Sequence, residues 1–222
     1  MSKNEPNAID AVKASAGRPG RPVDLHKRDH ILDVARDFFF AHGVEGVSIE
    51  GIASASGVSK VTIYKGFGDK TGLFEAVVER EAEAMERGVA QLSAQGATLT
   101  EQLVAFGAEL LGFLERPELA AFDRVLALEA PRRPGLAERF FNAGPGRIRA
   151  SLARLIREAM QRGEIEDADP LVAAEDLIAL WQGFATIEQK FLGLGARSNP
   201  DARRRRVVRA VDRWLRAYSC QD

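Results

Sequence analysis

Apolar residues recur every three or four positions through most of this 222-residue chain, and no stretch alternates for long as a strand does. That period predicts an all-α fold, cut into helices by Pro, Gly and short polar runs. Ile31, Leu32, Ala35, Phe38 and Phe39 form the first stripe, on a helix predicted over residues 27–42. Residues 47–70 then hold two very short helices. Ser48 is suited to cap the first, Glu50 to its opening turn, and Gly57 to the left-handed residue that ends it. Ser59 caps the second, over residues 60–66, and Asp69 caps a longer helix over 70–92, which turns Leu73, Phe74, Val77, Val78 and Met85 inward. After a soft break at 93–98, helices are predicted over 99–115, 117–130, 135–142, 145–162, a long apolar segment 170–194, and 201–218.

Helix, tight turn with glycine, helix is the layout of a helix-turn-helix, whose second helix enters the major groove of DNA. On that second helix Ile63 and Phe67 lie four apart and face inward, leaving Lys60, Val61, Thr62, Tyr64 and Lys65 outside. Cations for phosphate, a hydroxyl and a phenol for base edges, and apolar groups for a thymine methyl suit DNA. The same residues would also serve as an ordinary solvated helix surface.

The context separates the two readings. Residues 47–70 resemble the DNA-binding segment of the tetracycline-repressor (TetR) family at Ser48, Ile52-Ala53, Ser56-Gly57-Val58-Ser59, Ile63-Tyr64, Phe67 and Lys70, and residues 31–46 resemble that family's first helix. The segments 122–145 and 162–175 are similar, more loosely, to the C-terminal domain of its AefR-like group. The resemblance implies a three-helix DNA-binding head joined by a long helix to a helical ligand-binding and dimerisation domain. The expected division is an arm over 1–26, the head with its connecting helix over 27–92, and the helical domain over 93–222. DNA contacts are expected from Ser48, Ser59, Lys60, Val61, Thr62, Tyr64 and Lys65, with Lys70, Lys27 and Arg28 on phosphates. Two departures stand out: Glu50, where a carboxylate repels phosphate but can accept from cytosine, and Gly66, in place of a larger residue.

Composition changes this picture little. The net charge of −1 supplies no global basic field; residues 1–70 carry 10 Lys/Arg against 9 Asp/Glu, net +1, so a few placed cations and doubling in a homodimer must serve. The repeat Gly-Arg-Pro at 17–22 resembles an AT-hook, which would lay Arg18 and Arg21 into a minor groove; the alternative is a plain flexible leader. A single cysteine, Cys220, excludes an intramolecular disulfide framework; His42 has no partner at metal-ligand spacing, and His26 and His30, four apart, could hold adventitious metal but lack a third ligand. With no apolar run of membrane length and no leader pattern, a cytoplasmic protein without membrane partners is expected. There is no nucleophile elbow, Cys–His pair or dinucleotide fingerprint, so neither an enzyme nor a cofactor is expected.

Double-stranded DNA, a second copy and a small-molecule inducer are the expected partners. Val207, Val211, Trp214, Leu215 and Tyr218 form one stripe for a four-helix contact between subunits, and Leu177, Leu180, Trp181, Phe184 and Phe191 another. Either stripe could instead fill the core. Seven Phe and two Trp lie beyond residue 97, enough bulk to leave a site between helices. Phe106, Leu110, Phe113, Phe122, Phe140, Trp181 and Phe184 are its expected lining, with Arg124 or Gln182 orienting the ligand. The function expected is a homodimeric repressor released from a palindromic operator by an apolar ligand. The alternatives are a ligand-independent DNA-binding regulator and a helical protein-interaction module.

Overall fold

A computed structural model of the chain describes residues 25–192 and 199–219. Among them it contains helices and turns and no strand. The head is α1 (Leu25–His42), α2 (Ile49–Ala55) and α3 (Lys60–Phe67); α4 (Lys70–Ala94) leads into the body. There α5 (Leu99–Leu114), α6 (Pro117–Glu129), α7 (Pro134–Ala143), α8 (Pro145–Gln161), α9 (Pro170–Gln182), α10 (Ala185–Leu192) and α11 (Pro200–Ala217) follow. Five of these begin with proline at their first position, where the missing N–H has no helical acceptor to lose. Thr98 and Glu101 close a capping box on α5.

The apolar stripes meet in two cores. One collects α5, α8, α9, α11 and the far half of α4 around Leu103, Leu152, Ile156, Leu177, Trp181 and Trp214. The other belongs to the head, around Phe39, Ile52, Ile63 and Phe74, but Leu119, Phe122, Leu126, Leu136 and Ala143 of α6 and α7 pack into it as well. Two helices that follow the break in sequence therefore join the head in space. Phe74 is the hinge of this packing: it meets Phe39 edge-on at 5.4 Å, Phe122 at 5.6 Å and Phe140 at 6.2 Å.

Three expectations change here. The apolar segment 170–194 is not one helix: Gly183, at φ 49°, stops α9 and α10 starts afresh two residues later. The arginine run 203–206, which by sequence reads as the solvated start of the last helix rather than a DNA site, is not simply solvated, because Arg203 and Arg206 reach back to Glu115 at 2.9 and 2.7 Å. The interface stripes turn largely inward. Leu177, Val207, Val211 and Trp214 are buried within the monomer, Leu215 and Tyr218 half-buried beside them. Trp214 donates from Nε1 to the Ala173 carbonyl at 2.9 Å and stacks on Tyr218, whose hydroxyl donates to Asp176. By contrast Leu180, Phe184 and Phe191 remain exposed.

Trp214 therefore stabilises the subunit itself. Trp214→Phe, which removes the indole donor and part of the buried volume, is expected to cost about 1–3 kcal/mol, read as a lowered urea midpoint. A midpoint unchanged within error would mean that this side chain is not core.

Candidate nucleic-acid interface and ligand cavity

Eight residues make too short a helix to persist alone, so the placement of α3 is tertiary. Its N-cap Ser59 accepts from the Thr62 N–H at 3.2 Å and exchanges a hydroxyl bond with the Thr62 side chain at 3.0 Å. Ser48 caps α2 likewise, accepting from Gly51 N–H at 3.1 Å. Between them Gly57 turns the chain at φ 65°, and Val58 N–H returns to the Ala53 carbonyl at 3.0 Å. Ile63 is fully buried beneath α3, Phe67 partly so.

The outer face is what the burial of Ile63 leaves behind. Val61 is 59% exposed and Tyr64 47%, large apolar surface that nothing among the described residues covers. Lys65 is exposed beside them and has no partner among the described residues. Lys60 is exposed too, but its ammonium donates to the Glu50 carboxylate at 2.8 Å. That bond holds the Glu50 carboxyl below, and the Lys60 amine above, its ordinary range. The carboxylate that looked out of place on α2 thus tethers a cation of α3.

Two residues expected on phosphates have internal work. Arg28 lies over the Phe67 ring at 4.5 Å and donates to the Gly66 carbonyl at 3.3 Å, binding α1 to the end of α3. Lys70 donates from Nζ to the Val47 carbonyl at 3.1 Å, across the chain leading into α2. Lys27 is exposed. Arg18 and Arg21 lie outside the described residues, as does Cys220. At Gly66 the position of a missing Cβ is open space, so packing does not require glycine there.

A cavity of about 240 Å³ lies where head and body meet. Leu110, Phe113, Phe122 and Phe140 line it as expected, with Gln182 at α9. Three expected residues lie elsewhere. Phe106 and Trp181 stack on each other at 6.0 Å inside the body core, and Phe184, just past the Gly183 break, is 74% exposed. The Arg124 side chain lies outside the described residues. The sequence pattern missed Phe40, which carries the head into the cavity wall and meets Phe122 at 5.3 Å, and two carboxylates, Glu81 and Asp123. Glu81 holds Arg36 of α1 at 3.7 Å and Arg116 of the α5–α6 link at 3.2 Å. No periodicity reports such a meeting, because it joins residues from two helices and a distant link.

The chain is similar to known regulators along most of its length. Residues 31–77 match the profile described as bacterial regulatory proteins, tetR family, and residues 101–220 that of the AefR-like transcriptional repressor C-terminal domain. The HTH-type transcriptional repressor ComR of Escherichia coli is 38% identical over 74 residues, a match spanning 33% of each chain. A crystal structure of a TetR-family transcriptional regulator from Mesorhizobium loti superposes with a TM-score of 0.74 at 28% identity, covering 90% of this chain and all of that one. The flavonoid-responsive regulator FrrA superposes at 0.67 with 30% identity, covering 89% of this chain and 99% of its own.

The Glu50–Lys60 pair generates a test. In Glu50→Gln one negative charge leaves the face beside α3 and the Lys60 ammonium is released. DNA binding is expected to tighten, with the plot of log affinity against log salt steeper by about 0.9. An unchanged slope in a salt titration would show that Lys60 meets no phosphate.

Proposed function

The chain belongs to the TetR family of DNA-binding transcriptional regulators, in the group with an AefR-like C-terminal domain, and from that premise we propose a ligand-released homodimeric repressor. In this reading the α3 helices of two subunits read successive major grooves of a palindromic operator. The observation that carries it is the outer face of α3, where Val61, Tyr64 and Lys65 stand exposed on a helix anchored by Ile63 and by caps at both ends. Tyr64 and Val61 suit base edges and thymine methyls, Lys65 and Lys60 the flanking phosphates. Ser48, Ser59 and Thr62 support this surface through their capping bonds and leave backbone N–H groups of the helix starts toward DNA.

One head offers few cations, so two are needed, about 34–36 Å apart. The proposed contact between subunits is the apolar surface that the cores leave outside: Leu171, Val172 and Leu180 of α9, Phe184 and Ile187 beyond the break, and Val208 of α11. The cavity at the head–body junction is the proposed inducer site. It touches α1 through Phe40 and α4 through Val78 and Met85, so filling it would bear on the angle of the head. Release follows if the ligand prefers a head spacing that no longer matches successive grooves.

Selection from a random DNA pool supplies the operator. Tyr64→Ala and Lys65→Ala are then each expected to weaken binding about tenfold, roughly 1.4 kcal/mol, by fluorescence anisotropy. Wild-type affinity in both would refute α3 as the reading helix. Phe184→Glu is expected to give a monomer by sedimentation at micromolar concentration and to lose operator affinity with it. A dimer that survives that change would place the contact elsewhere.

A further inference from the structure

The charge lining the cavity at the head–body junction narrows what it can hold. Its wall is mostly aliphatic and aromatic, and its three polar side chains are Glu81, Asp123 and Gln182. Among the described residues two carboxyls and an amide face it, and no Lys, Arg or His does. The two carboxyls differ in their needs. Glu81 is already met by Arg36 and Arg116. Asp123 pairs with no base and accepts no hydrogen bond among the described residues. Its surface is open beside the cavity, yet the packing around it withdraws enough water to raise its carboxyl above the ordinary aspartate value.

We infer that the effector of this protein is a lipophilic cation, an aromatic or bulky alkyl amine whose ammonium is held by Asp123 and whose apolar body fills the space among Phe113, Phe122 and Phe140. The inference rests on the reading of this cavity as the effector site. Three physical effects favour the cation. An ammonium supplies the counter-charge that Asp123 lacks, in a partly desolvated setting where charged hydrogen bonds are strongest. The rings of Phe113, Phe122 and Phe140 line the wall, and an aromatic face attracts a cation and repels an anion. An anionic ligand would lose its hydration beside the unpaired Asp123 carboxyl, and the described bases that reach the cavity wall, Arg36 and Arg116, are already engaged by Glu81, so charge disfavours it. A neutral ligand would gain the apolar contacts alone.

Matched probes separate these cases: 2-naphthylmethylamine, 2-naphthylmethanol and 2-naphthoic acid share one apolar body and differ in charge. Binding to the full-length protein is measured by calorimetry, with operator release followed by anisotropy. The amine is expected to bind at least tenfold more tightly than the alcohol, the acid not to bind, and the amine to release DNA. Asp123→Asn should reduce affinity for the amine about tenfold and leave that for the alcohol unchanged. Ile178→Trp, which fills the cavity from its half-buried rim, should abolish binding of both. Equal or tighter binding of alcohol or acid, lost in Ile178→Trp and indifferent to Asp123→Asn, overturns the charge assignment and leaves the effector site standing. Binding of none of the three, or binding that Ile178→Trp leaves intact, overturns the effector site and the cation together.

Discussion

An eight-residue helix cannot hold its own shape, and the proposed DNA-reading surface of this protein is such a helix. Everything that α3 presents outward depends on Ile63 being locked into the head core, with Arg28 clasping the other end through Phe67 and Gly66. The caps at Ser59 and Ser48 and the left-handed Gly57 fix the turn between the two short helices, so that burial of one face dictates exposure of the other. Val61 and Tyr64 are exposed because Ile63 is not. A recognition surface made in this way is rigid at little cost, since its few residues need no strength of their own.

The same core ties that surface to the body. Phe39, Phe74, Phe122 and Phe140 form one aromatic chain from α1 through α4 to α6 and α7, and the cavity opens at its edge, with Phe40 in the wall. Polar groups run beside it: Arg36 of the head shares Glu81 with Arg116, while Arg80 of α4 holds Asp33 and the Asp29 carbonyl of α1. The head is thus not a bead on a linker. It is packed against the very helices that enclose the cavity, and close-packed contacts of this kind shift together rather than bend. In the proposed regulation, a molecule filling that cavity would touch both head and body and could bias the angle between them.

Much was legible beforehand, for reasons of local chemistry. Ser48, Ser59 and Asp69 were readable as caps because capping involves residues three apart in the chain. Pro117, Pro145 and Pro170 marked helix starts because proline lacks a donor there. Ile63 and Phe67 showed the inner face of α3 by their spacing, and the outer face followed. Amphipathic stripes, however, say only that a face is apolar and not what covers it. Trp214 and Phe184 read alike as interface residues, yet one is sealed in the subunit core and the other is mostly in water. Gly183, through its positive φ, ends the helix that apolar spacing alone would carry on to residue 194.

The sequence alone determined the helix-turn-helix, its caps and which face of its second helix turns outward, since each is set by residues within a few positions of one another. Which residues serve two masters was decided only in three dimensions. Lys60 is tethered by Glu50 from ten positions away, Arg28 by Gly66 from 38, and Arg147 by Glu86 from 61. The cavity, with Asp123 and Glu81 on its wall, is likewise a product of helices that are remote along the chain. Periodicity reports burial of a face, a one-body property; pairing, cavities and interfaces are properties of two or more elements and exist only once those elements have packed.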